Sequence, residues 1–133
     1  MNVLLDTHVW VWWLTEQSGL TVHERAALDR AANRRALCLA AISMWEVQLL
    51  HAKGRLELPI PFADWLTRAT DDAMIRTLPL DRDVVLAVDA LPRSFHGDPA
   101  DRIIVATARA HAIPLATHDA AIRRSRAARL WKP

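Results

Sequence analysis

The chain has 133 residues and a mass of 15.0 kDa, the size of one ordinary domain, since domains cluster at about 100–150 residues. Apolar residues make up 52% and charged residues 24%, with a mean hydropathy of +0.04, too apolar for a disordered chain, so one packed core over residues 1–133 is expected. The lone cysteine, Cys38, excludes a disulfide framework and a thiolate zinc site, and a net charge of +2 from 17 basic and 15 acidic residues argues for no partner by itself.

The chain opens on Met1-Asn2-Val3-Leu4-Leu5-Asp6 without the basic start of a signal peptide. No apolar run nears the ~20 residues of a bilayer span, so a cytoplasmic protein with no membrane contact is expected. Val3–Leu5 reads as a strand buried on both faces and ending at Asp6. Residues 8–14, apolar almost all round with Trp10, Trp12 and Trp13, read as a short buried helix. Thr21 with Glu24 three residues on is a capping box for a helix carried by Val22, Ala26, Leu28 and Ala32 to about Asn33. Residues 37–39 form a second buried strand, and Ser43 with Glu46 looks like another capping box, opening a helix through Ala52 that Gly54 stops. Beyond Pro59 and Pro61, residues 63–73 read as a helix, 75–78 as a strand and 83–91 as a further helix. After a loop over 92–97, Asp98-Pro99 starts the clearest helix, capped by Asp98 and ending near Ala112. Residues 113–117 form a last central strand, 119–125 a helical turn, and 129–131 a short edge strand.

Strands alternating with helical segments of about ten residues predict an α/β fold, a parallel sheet with crossovers on both faces. Ligands of such sheets bind beyond the carboxyl ends of the strands at a switch point, so residues directly after strands carry the chemistry. Here those residues are acidic. Asp6 ends the first strand and Asp119 closely follows the last, while Glu46 and Asp101 sit in first turns of helices that face the same edge. Each acid also has a purely structural reading, because aspartate caps helices and first-turn acids complement the helix dipole. Together, though, carboxylates crowded at one edge repel one another unless a cation offsets them. Oxygen donors without cysteine suit Mg²⁺ or Mn²⁺ rather than zinc.

Four segments then stand together in order: Leu4-Leu5-Asp6-Thr7-His8-Val9-Trp10, Ser43-Met44-Trp45-Glu46-Val47, His96 through Ala108 around Asp98-Pro99-Ala100-Asp101-Arg102, and Thr117-His118-Asp119. In this order and spacing the sequence resembles the PIN domains, and among them the VapC toxins of type II toxin–antitoxin systems. The resemblance covers residues 3 to about 131. It implies a three-layer α/β/α sandwich around a twisted, mostly parallel sheet. It also implies an endoribonuclease that hydrolyses RNA phosphodiesters with Mg²⁺ or Mn²⁺. Asp6, Glu46, Asp101 and Asp119 match the family's acidic positions and are the implied catalytic and metal-binding residues. Asp6 and Asp101 are the main ligands, Glu46 completes the site, and Asp119 approaches from the opposite side. Thr7 and Thr117 are placed to orient carboxylates, and Asp98 matches an additional acid of one subgroup. Gly97 and Ala100 stand where that subgroup often carries a basic and an aromatic residue. The resemblance further implies a homodimer neutralised by a cognate VapB-like antitoxin.

Other readings compete. A catalytically silent PIN-like module for RNA or protein binding would use the same acids only as caps. Paired-histidine chemistry, which needs no metal, has His8, His96 and His118 beside the acidic segments. An aspartyl phosphatase needs a lysine near the phosphate, and Lys53 and Lys132, the only lysines, follow no strand. Arg123, Arg124, Arg126, Arg129 and Lys132 make the tail basic, a solvated face or a track for RNA phosphates, and Arg102 is placed to pair with a site carboxylate. Trp10, Trp12 and Trp13 cannot all face one side of a helix, so at least one is expected at the surface.

Overall fold

A computed structural model describes residues 1–17 and 19–133. Its strands are β1 (Val3–Leu5), β2 (Leu37–Ala40), β3 (Arg76–Leu78) and β4 (Leu115–Ala116). Its helices are α1 (Thr7–Thr15), α2 (Val22–Asn33), α3 (Ile42–Ala52), α4 (Phe62–Ala69), α5 (Arg82–Asp89), α6 (Pro99–His111) and α7 (Ala120–Ser125).

The strands lie in the order β3-β2-β1-β4, and every pairing is parallel. From β1 the chain builds outward through β2 and β3, then returns to place β4 on the other side of β1. That reversal makes the β1/β4 junction the switch point of the sheet. Leu5 pairs with Ala116 there, and Asp6 N–H donates to the Ala116 carbonyl at 2.9 Å, so Asp6 and Thr117 leave the sheet side by side. A single parallel bridge from Leu115 to Leu130 extends the edge where residues 129–131 were expected to run.

Side chains alternate along a strand, so the sheet feeds two cores. Val3, Leu5, Leu37 and Leu39 join Trp10, Leu28, Val47 and Trp65 on one face. Leu4, Cys38 and Ala40 join Leu78, Ile104, Val105, Leu115 and Ile122 on the other. With both faces covered, the strands read as unbroken apolar runs, and the layers are α/β/α as the resemblance implies. Trp10 is fully buried, its ring 5.4 Å from that of Trp65 and its indole N–H donating to the Ala69 carbonyl at 3.3 Å. Trp12 and Trp13 are partly exposed, which divides the three tryptophans of α1 as their spacing requires.

Some boundaries differ from the sequence reading. Helix α4 ends at Ala69 rather than near Ala73, because the Asp71 carboxylate accepts from Ala73 N–H at 2.9 Å and closes a turn of its own. The expected capping box of Ser43 and Glu46 does not form. Helix α3 starts at Ile42 behind Ala41, with no side-chain cap, and Ser43 is fully buried inside it. Among the described residues no helix is long and apolar enough to cross a membrane.

Candidate active site

Asp6, the first residue after β1, is the N-cap of α1 and is buried. One carboxylate oxygen accepts from Thr7 N–H at 2.8 Å and the other from the Thr117 hydroxyl at 2.6 Å. The Thr117 oxygen accepts in turn from Asp119 N–H at 3.0 Å, tying the acids that follow β1 and β4 through one hydroxyl. Asp119 caps α7, accepting from Ile122 N–H at 2.9 Å.

Glu46 lies one turn into α3 and caps nothing. Its Oε1 is bonded to the buried Thr7 hydroxyl, whose oxygen lies 2.8 Å from that of Ser43. Asp98 caps α6 through Asp101 N–H at 3.0 Å, which frees the Asp101 carboxylate to meet His96 Nε2 at 2.7 Å. Arg102 does not pair with a site carboxylate; its guanidinium donates to the Phe95 and His96 carbonyls at 3.4 and 3.5 Å.

Four separate segments thus deliver Asp6, Glu46, Asp101 and Asp119 to the walls of one cavity of about 250 Å³. Larger clefts of about 510 and 470 Å³ lie along the C-terminal segment, and neither gathers carboxylates in this way. The electrostatic strain is concentrated in the smaller one. Burial, with Asp6, Asp101 and Asp98 nearby, raises Glu46 to about 7 against the lowering effect of the Thr7 hydroxyl. Asp101 is also raised, by burial and by Asp98, Asp6 and Asp119, although its hydrogen bond to His96 opposes this. Among the described residues the only ion pairs are those of His8, His96 and His118, and no arginine or lysine neutralises a carboxylate of the cavity.

The histidines are engaged rather than paired for acid–base work. His8 Nε2 accepts from His118 N–H at 3.0 Å, so in the neutral ring the proton sits on Nδ1, 3.5 Å from Asp6. Burial lowers the pKa of His8, over the opposing effect of Asp6. His118 Nε2 reaches the Glu24 carboxylate at 2.6 Å.

The donor set fits a hard divalent cation: oxygen ligands, no thiolate, excess negative charge and hydroxyls that fix two of the acids. As the side chains stand, no three described His, Cys, Asp or Glu groups are drawn tightly enough together to ligate a metal ion. The basic residues of the tail are all exposed, and Arg123 and Arg129 are spent on the Thr117 and Ala112 carbonyls at 3.1 and 3.4 Å. A side chain at Gly97 would meet open space, and Ala100 is buried. Arg55, not singled out from the sequence, lines the acidic cavity; the signal for it is Gly54 just before it.

Known proteins share the family and the fold. The PIN domain pattern matches residues 3–127. The chain is 39% identical to Ribonuclease VapC22 of Mycobacterium tuberculosis over 125 residues, spanning 94% of this chain and 92% of the relative. Its fold resembles that of VapBC2 from Rickettsia felis, solved bound to a DNA fragment from the promoter, with a TM-score of 0.71 at 14% identity over 98% of each chain. It also resembles FitAcB from Neisseria gonorrhoeae, with a TM-score of 0.70 at 22% identity over 98% of this chain and 96% of the other.

Proposed function

The chain belongs to the PIN domain family, and we propose that it is a metal-dependent endoribonuclease, the toxin of a VapBC-like toxin–antitoxin pair, acting as one domain in the cytoplasm. The observation that carries the reading is the position of Glu46: it caps no helix, yet it is held among Asp6, Asp98 and Asp101 at a pKa of about 7. Asp6 and Asp119 serve as caps, so a silent module explains them, but it gives no reason to keep Glu46 in that company.

Asp6, Glu46, Asp101 and Asp119 would hold Mg²⁺ or Mn²⁺ in the cavity. When bound, such a cation acidifies water and offsets the charge that develops on phosphorus and the leaving oxygen. The chain's own groups prepare the place. Thr117 fixes Asp6 and Thr7 fixes Glu46, so both carboxylates are aimed before the substrate arrives. Burial and the neighbouring acids raise Glu46 to about 7 in the metal-free cavity, and a bound cation would favour its charged form. No side chain has to act as nucleophile. A VapB-like antitoxin is the partner, in keeping with the VapBC structure named above, and a second copy of the chain is part of the same proposal.

The test is cleavage of a mixed RNA substrate by wild type, Asp6→Asn and Asp101→Asn with Mg²⁺, Mn²⁺ or EDTA. Cutting by wild type that needs metal and disappears in both variants supports the reading. Metal-independent cutting, or equal cutting by the variants, overturns it.

A further inference from the structure

Helix α3 ends in a tight reversal. Gly54 N–H donates to the His51 carbonyl at 3.0 Å and Arg55 N–H to the Leu50 carbonyl at 2.9 Å, with Gly54 at a φ of 67°. This left-handed closure suits glycine and turns the next residue back along the helix it has just left. Leu50 and Arg55 consequently line the same cavity as the acids, and Arg55 is the one arginine or lysine among the described residues on its wall.

Its guanidinium is uncommitted. Arg25, Arg102, Arg109, Arg123 and Arg129 all donate to backbone carbonyls, which fixes them as structural groups. Arg55 makes no side-chain hydrogen bond or ion pair among the described residues, and it is exposed to solvent. Four carboxylates repel an incoming polyanion, and a free guanidinium beside them offers a planar fork of donors that matches two phosphate oxygens. We propose that Arg55 is a substrate-positioning residue that grips a phosphate of the RNA strand at the edge of the acidic cavity and holds the neighbouring phosphodiester over the carboxylates. The inference rests on the ribonuclease reading and adds to it the contact that seats the strand.

The test compares wild type, Arg55→Gln and Arg55→Lys on an RNA that wild type cuts, together with Mn²⁺ titration of each protein without RNA. Arg55→Gln is expected to raise KM about tenfold, the worth of one charge-assisted contact, with kcat within about twofold. It is also expected to flatten the salt dependence of kcat/KM by about 0.7 in the log–log slope, the contribution of one single-strand phosphate contact. Arg55→Lys restores part of the affinity, and Arg55→Gln binds Mn²⁺ at least as tightly as wild type, because a positive charge has left an acidic cavity. Unchanged KM and salt slope overturn the inference while leaving the ribonuclease reading in place. A higher KM accompanied by weaker Mn²⁺ binding or a lower unfolding midpoint also overturns it, in favour of a structural role. If wild type cuts no RNA with either metal, the ribonuclease reading fails first and this inference falls with it.

Discussion

Helices α5 and α6 pack against each other and begin alike. Asp81 caps the first by accepting from Val84 N–H at 3.1 Å, Asp98 caps the second by accepting from Asp101 N–H at 3.0 Å, and each start carries a further acid, Asp83 and Asp101. The likeness is local only. Asp83 is exposed beside Asp81 and Arg82, whereas Asp101 is half-buried, bonded to His96, and pushed up in pKa by burial and by Asp98, Asp6 and Asp119. The same helix-start chemistry is thus a cap in one place and part of a charged centre in the other. The difference lies in what the topology brings alongside, since the β1/β4 switch point sets Asp6 and Thr117 beside each other.

The same substitution at both acids separates the two roles. Asp101→Asn is expected to lower kcat/KM for RNA by more than about a hundredfold, beyond the usual cost of losing an outer partner of a metal ligand, and Asp83→Asn to leave it unchanged. Equal effects would erase the distinction. Thr117→Val tests the hydroxyl that aims Asp6 and is expected to cost about 10–100-fold in activity or Mn²⁺ affinity with the fold retained.

Glu46 sharpens it through pH. With its folded pKa raised to about 7 from an ordinary 4.5, the metal-free folded state binds a proton more tightly than the unfolded chain does. This group therefore favours folding at acid pH, and that advantage is lost as pH rises from the unfolded value through about 7. Thermal unfolding of metal-free Glu46→Gln should show a higher midpoint than wild type at about pH 8 and little difference at about pH 4, with activity lost. A lower midpoint at the higher pH would mean that burying this carboxylate beside other acids costs nothing. The smallest effect is expected at the other helix start: Asp81→Ala removes a cap worth about 1 kcal/mol by denaturant unfolding and leaves RNA cleavage as it was.

Much of this was legible in the chain itself. The apolar runs at Val3–Leu5 and 37–39, buried on both faces, announce parallel central strands, and Asp98-Pro99 marks the start of α6 to the residue. The positions of Asp6 and Asp119 follow from their places after strands. Spacing misleads at Ser43 and Glu46, because a capping box and an inward-facing polar pair three residues apart look the same in sequence. Only a distant partner, the Thr7 hydroxyl 39 residues away from Glu46, decides between them. Helix α4 stops at Ala69, short of the expected Ala73, because a local Asx turn at Asp71 competes with the helix, and apolar spacing carries no signal of it. Arg55 stayed hidden as one of 17 arginines and lysines that look alike until Gly54 fixes its direction.

The most direct test of the central claim, that the acids of the β1/β4 junction form one cation-binding centre, is anomalous X-ray diffraction from crystals soaked in Mn²⁺. A peak is expected in the cavity at about 2.0–2.3 Å from oxygens of Asp6 and Asp101, with Glu46 or Asp119 completing the shell, and no such peak in Asp101→Asn. A peak at the Asp81–Asp83 helix start instead, or none in the cavity with Mn²⁺ in large excess, would contradict it.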